Sequence, residues 1–266
     1  MRLELPLESR GDIREKGLAF DFLADSEGTR TSKVMTGHDD GLITIALAEA
    51  DDVERERRRN AMREPYRTLL GHFRHEVGHY YWDRLVRDGG MLDACRKVFG
   101  DDREDYDQAV RNHYDNGAPP NWQEQFVSSY ATTHPWEDFA ETWAHLLHII
   151  DTLDTARAFG VRGNVPTAGE TVAETVALAV DFDPYTASID RLIEAWIPLT
   201  FALNSINRSM GLSDLYPFVL SPAAILKMDF LHARIHGRVD MASSGAHDAK
   251  ALKAVVASLR RGGPSP

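Results

Sequence analysis

Short apolar runs mark the start of the chain, and helical spacing takes over after about residue 50. Residues 18–23 are a short apolar run, broken by Asp21, with alternating character. The segment 42–48, rich in branched residues, follows a turn cluster at 37–41 and is the best strand in the sequence. From Asp51 the period becomes helical: Asp51 or Asp52 can cap a highly charged helix over 53–62, and Pro65 interrupts it or opens a new one. Residues 66–86 read as one long helix, with Leu69, Leu70, Phe73, Val77, Tyr80, Tyr81 and Leu85 on its apolar face and Gly89 and Gly90 ending it. Shorter helices fit 91–99 and 104–112. A stronger one opens at Pro135, capped by Thr133 or His134, and runs to about Ala158 with Trp136, Phe139, Ala140, Trp143, Leu147 and Ile150 as its buried stripe. Residues 160–169 read as a Gly/Pro connection, 186–210 and 222–235 as helices, and the end of the chain as a disordered tail. The pattern predicts an α+β, predominantly α-helical fold, with a small sheet packed on the 66–86 helix.

Composition narrows the classes. The chain has 266 residues, 30 Lys and Arg against 41 Asp and Glu, and a formal net charge of −11. That balance argues against sequence-independent nucleic-acid binding, which needs a basic footprint. The basic run at 54–59 is interleaved with acids and reads as a solvated helix face. A single cysteine, Cys95, forbids an internal disulfide and a Cys-built zinc site. No stretch approaches the 18 or so apolar residues of a membrane span, and residues 1–10 hold no secretory signal core, so a cytoplasmic protein with no membrane partner is expected.

The informative segment is His75-Glu76-Val77-Gly78-His79. Two histidines four apart on a helix project from one face, as two ligands of one zinc ion require. Glu76 is rotated about 100° from His75, where it can reach a metal-activated water without ligating the metal. Gly78 removes a side chain and lets another segment come close. A catalytic zinc needs a third protein ligand and an open position. Glu137 and Glu141, four apart on the helix from Pro135, supply two carboxylates on one face. We assign Glu137 as the ligand and Glu141 as the acceptor that fixes a ligand histidine, with the reverse as the alternative.

The pattern His75-Glu-x-x-His79 followed by Glu137-x-x-x-Glu141 resembles the gluzincin clan of zinc metallopeptidases, in which a glutamate on a later helix is the third ligand. Glu137-Asp-Phe-Ala-Glu141 is similar to the matching segment of the lethal-factor type of gluzincin, where a tyrosine seven residues earlier stabilises the oxyanion; here that position is Tyr130. More closely, residues 17–23, 37–44, 71–85 and 136–155 resemble a family of bacterial proteins described as zinc-binding metallopeptidases, with the likeness reaching about residue 236. The resemblance implies one zincin-like catalytic domain over 1–240, sheet-containing to about 90 and helical from about 91, followed by a C-terminal helix and flexible tail at 241–266. It also implies one catalytic zinc on His75, His79 and Glu137, with Glu76 as general base and Tyr130 as oxyanion donor. Members of that family carry an N-terminal Cys-rich zinc ribbon, whose role cannot be carried over to a sequence with one cysteine.

On this reading the protein hydrolyses peptide bonds in a peptide or protein substrate. Zinc lowers the pKa of its water and polarises the carbonyl, while Glu76 moves the proton to the leaving amine. The 42–48 strand is expected to be the sheet edge that pairs with extended peptide. The alternatives are a catalytically inactive, zinc-stabilised scaffold or interaction module, and a zinc hydrolase of other amides or esters. His72 is expected beside the site or on the surface rather than on the metal, His145 in the core or behind a ligand, and His38 in a turn, with a site-facing role as its alternative. His148, His232, His236 and Cys95 are expected as packed or solvated residues.

Overall fold

The computed structural model describes residues 3–12, 16–25, 34–55, 57, 68–166 and 175–237. Most of the charged helix expected over 53–62, the Pro65 helix start and the tail at 241–266 lie outside the described residues. The architecture is mixed α+β with small sheets and a predominance of helix. Among the described residues, no helix is long and apolar enough to cross a membrane. The chain forms two compact units, one holding residues 3–145 with 218–237 and the other 146–217.

The first unit opens with a three-stranded sheet: β1 (Ala19–Leu23), β2 (Gly37–Asp39) and β3 (Leu42–Ala46), in the order β1-β3-β2. β1 runs parallel to β3, with Ala19 opposite Leu42, and β2 runs antiparallel to it, with His38 opposite Ile43. Asp40 (φ 43°) and Gly41 (φ 90°) make the tight turn from β2 into β3, the left-handed pair that a two-residue hairpin requires. A Cβ on Gly41 would also stand 2.6 Å from the carbonyl oxygen of Lys16. The strand order corrects the expectation for 42–48: β3 is central, both its ladders are occupied, and the sheet edge is β2 on one side and β1 on the other. Ile43 and Ile45 of β3 are buried.

Helix α1 (Leu69–Trp82) carries the two histidines. It starts at Leu69 because Thr68 is extended and its side chain accepts from the Gly71 N–H at 2.9 Å, an N-cap that contributes about 1 kcal/mol. It is shorter than the 66–86 reading, since from Asp83 to Arg87 the backbone widens into a π turn, with Asp83 and Arg87 paired at 2.7 Å. Helix α2 is Leu92–Phe99. Helix α3 is Tyr106–Asn116, two residues later in starting than expected because Asp105, not Glu104, caps it by accepting from the Gln108 N–H.

Helix α4 (Pro135–Ala158) matches its predicted span. Proline at its first position gives up a donor that has no helical partner. The His134 Nδ1 then accepts from the Trp136 N–H at 3.1 Å. The simple apolar stripe does not hold. Within the first unit residues 137–140 and 142–145 are all buried, Glu137, Asp138, Thr142 and His145 included, whereas Trp136 is only half-buried. A later helix of this unit runs from Pro222 to Ile235, capped by Ser221.

Helix α1 meets α4 at Gly78. A Cβ there would lie 3.0 Å from Ala140 Cα and 3.2 Å from Trp143 Cβ, and the Tyr81 and Trp143 rings stack at 4.9 Å one turn further on. Gly78→Ala is therefore expected to destabilise the protein by about 1–3 kcal/mol through overpacking and to weaken metal binding, because the two helices carry the candidate ligands. Thermal melting with and without zinc checks this; an unchanged melt would show that the contact relaxes freely.

The second unit contains the C-terminal part of α4, an antiparallel pair of β4 (Arg162–Pro166) and β5 (Thr175–Ala179), and helix α5 (Ile189–Ser209). The expected Gly/Pro connection is thus partly strand: Arg162–Pro166 has weak strand propensity and is ordered by pairing with β5. Helix α5 starts three residues later than predicted, where Ser188 caps it, and accommodates Pro198 in its interior. The helix Pro222–Ile235 of the first unit follows α5 in sequence and is α6.

Candidate metal centre

Helix α1 delivers His75 and His79 on one face, and α4 brings Glu137 to meet them. The three are buried, and one ligand atom from each falls within 4.8 Å of the others. The His75 Nε2 and His79 Nε2 atoms are 3.1 Å apart. The Glu137 Oε2 lies 2.9 Å from the first and 3.5 Å from the second.

These distances fit a small tetrahedral cation. Two bonds of roughly 2.0–2.1 Å at the tetrahedral angle place donor atoms about 3.3 Å apart, and the three observed separations bracket that value. The two imidazole nitrogens face each other at 3.1 Å in a buried space, where one cation could accept a lone pair from each. The donor set of two imidazoles and a carboxylate is that of a zinc site with an open position.

Glu141 stands on the far side of His75. Its Oε1 accepts from the His75 Nδ1 at 2.7 Å, and its Oε2 accepts from the Ser128 hydroxyl. This bond sets the imidazole so that Nε2 is the atom presented to Glu137 and His79. Burial raises the Glu141 pKa, but the bond and charge of His75, with the Ser128 bond, overcome it and hold the carboxyl at about 2. Burial likewise opposes charge on His75 and is outweighed by the two carboxylates, so with no metal His75 stays protonated well above its ordinary range.

Glu76 is buried and lies outside the three-ligand group; burial raises the pKa of the Tyr106 phenol, and the Glu137 charge and hydrogen bond and the Glu76 charge raise it further. Tyr130 sits in the short 3-10 turn before α4, with its ring 5.9 Å from that of His75. Burial, helped by the Glu137 charge, raises its pKa well above the ordinary phenol value, so it is a donor at any ordinary pH.

Two further side chains line the centre. Tyr106, at the start of α3, donates its hydroxyl to the Glu137 Oε1 at 2.7 Å. Nothing in the sequence announces this residue, which is 31 positions from its partner in a polar helix with no motif. The Trp136 ring lies 3.6 Å from that of His79, centroid to centroid. His38 is on strand β2 rather than in a turn, with its ring 6.1 Å from that of His79. Its Nε2 accepts from the Gly41 N–H at 2.9 Å; burial, aided by the His79 charge, pushes its pKa down to about 4, so it is neutral with the proton on Nδ1.

The remaining expectations are placed as follows. The His72 Nδ1 is 3.4 Å from the buried Glu49 carboxylate, away from the ligand group. His145 is buried against Phe218, and burial lowers its pKa to about 4, leaving it neutral one turn beyond Glu141. Cys95 is a buried free thiol whose pKa burial pushes up to about 12, which makes it inert. The His232 and His236 rings pack 4.4 Å apart.

The chain is thus mixed α+β with a buried His-His-Glu group that could hold a metal ion. The chain belongs to the family described as "Putative zinc-binding metallo-peptidase", whose model matches residues 1–234. It is similar to uncharacterized proteins of Mycobacterium tuberculosis and Mycobacterium bovis, at 47% identity over 231 residues, which is 86% of this chain and 63% of each relative. The chain thus spans just under two thirds of the length of these relatives. No solved structure matches it.

Proposed function

We propose that this protein is a zinc-dependent peptidase of gluzincin type, with a zincin-like catalytic fold, acting on peptide or protein substrates. The convergence of His75, His79 and Glu137 at ligand-shell separations, with Glu76 buried beside them but outside the ligand group, carries this reading. A structural metal needs no carboxylate in that position; a hydrolase needs a base there.

His75, His79 and Glu137 would hold the ion, and zinc so held supplies a Lewis acid that polarises a carbonyl and acidifies water. Glu141 keeps His75 oriented. Glu76 takes the proton of the attacking water and returns it to the leaving nitrogen. Tyr130, protonated throughout, donates to the oxygen on which negative charge develops. The peptide would lie along β2, the sheet edge that carries His38 beside His79, with its backbone pairing to that strand.

Metal analysis of the purified protein tests the reading. Wild type is expected to hold about one zinc per chain, and His75→Ala and Glu137→Gln to hold none. Glu141→Gln should keep the metal with affinity reduced about 10–100-fold, since it removes only the partner of a ligand. Wild type without stoichiometric zinc, or His75→Ala with it, overturns the proposal. Zinc retained in Glu137→Gln and lost in Glu141→Gln would reverse the two glutamates.

A further inference from the structure

We propose that Tyr106 is a positioning residue that restricts Glu137 to one ligating oxygen and so keeps the metal four-coordinate, with one of the four positions left for water or substrate. The proposal rests on the metal reading above. A carboxylate can bind a cation through one oxygen or both. With two histidines and a water or substrate in the open position, a one-toothed glutamate makes the metal four-coordinate and a two-toothed one makes it five-coordinate.

The structure divides the two oxygens of Glu137 between different tasks. Oε2 faces the Nε2 atoms of His75 and His79, at 2.9 and 3.5 Å. Oε1 accepts from the Tyr106 hydroxyl at 2.7 Å. Glu137 is only 2% exposed, so bulk water is a poor substitute partner for Oε1. Without the phenol, the partner nearest at hand for that oxygen is the metal itself.

The phenol is also held in place. The Tyr106 ring packs edge-on against His134 at 5.4 Å and against Trp136 at 5.7 Å. Asp105 caps the helix at the residue before it. Trp136 in turn lies on the ring of His79. One aromatic wedge therefore fixes the donor to the third ligand and the face of the second. Because Tyr106 is partly exposed and these ring contacts do not involve the hydroxyl, Tyr106→Phe should keep the fold.

The test is the visible absorption of the full-length protein reconstituted with cobalt(II), wild type beside Tyr106→Phe, together with zinc affinity by chelator competition. Four-coordinate cobalt absorbs several times more strongly than five-coordinate cobalt. Wild type is expected to show the strong band. Tyr106→Phe is expected to show the weak one, as Glu137 takes up the metal with both oxygens, while its zinc affinity falls by no more than the roughly 10–100-fold that loss of a ligand's hydrogen-bond partner costs. Identical bands in the two proteins, a weak band in wild type, or a Tyr106→Phe protein that takes up no cobalt overturns the inference while leaving the metal site standing. Wild type that binds neither cobalt nor zinc instead overturns the metal reading beneath it.

Discussion

Glu76→Gln is expected to abolish peptide-bond hydrolysis while leaving one zinc per chain in place. The substitution keeps the shape of the side chain and removes only its ability to take a proton. Glu76 is outside the ligand group, so metal content should not change. General-base catalysis contributes about 10²–10⁴-fold, and the loss should fall in that range or below detection. The measurement pairs a protease assay on an unfolded protein or peptide mixture with zinc analysis of the same sample.

The two halves of that result separate the rival readings. Undiminished hydrolysis with zinc retained would remove Glu76 from the chemistry. Loss of zinc along with activity would make it a structural support of the site. A wild-type protein that holds zinc but cleaves no peptide would point to a scaffold, or to hydrolysis of another amide or ester, which small-molecule substrates would reveal. The chain spans 63% of the length of its mycobacterial relatives, so the assay belongs on the full-length proteins of this family as well.

Much of the centre is written locally in the sequence. His75 and His79 share a helix face by spacing alone, and the Glu137–Glu141 pair is equally local. What spacing leaves open is which glutamate meets which nitrogen, because both reach the same histidine from one helix. The packing of α1 on α4 at Gly78 decides that: Glu137 falls beside the Nε2 atoms and Glu141 beside the Nδ1. Tyr106 was not legible at all, since its hydroxyl meets Glu137 only through the tertiary placement of α3. Strand order failed for a related reason. A strand of branched residues reads as a strand at an edge or in the middle, and only the parallel pairing of β1 makes β3 central. The near-continuous burial of α4 over residues 137–145 also escaped the pattern, because its buried polar residues interrupt the apolar stripe. Of these, Glu137 meets the candidate metal site and Asp138 meets a lysine from α6.

Lys227→Met is expected to be among the most destabilising single substitutions outside the metal ligands. The Lys227 Nζ lies 2.6 Å from the Asp138 Oδ2, donates to the Gln125 carbonyl at 2.7 Å, and stands over the Phe126 ring. Asp138 is fully buried. Burial already pushes its pKa from an ordinary 3.8 up to about 7, with Lys227 holding it down. Removing the lysine strands that carboxyl without its cation, a change that costs about 3–5 kcal/mol. Folded wild type already keeps the Asp138 proton up to about pH 7, and the variant keeps it to higher pH still, so the deficit relative to wild type grows as pH rises above about 7 and is smaller in acid. Adding Asp138→Asn should recover most of the loss, since both charges are then gone. Denaturant unfolding of the single and double variants at pH 5 and pH 8 checks each sign. A loss under about 1 kcal/mol at pH 8, or one independent of pH, would mean that water or another group reaches Asp138. Asp138 adjoins Glu137 in the first turn of α4, so the same variant should also bind zinc more weakly. That would show that the ion pair between α4 and α6 supports the third ligand as well as the core.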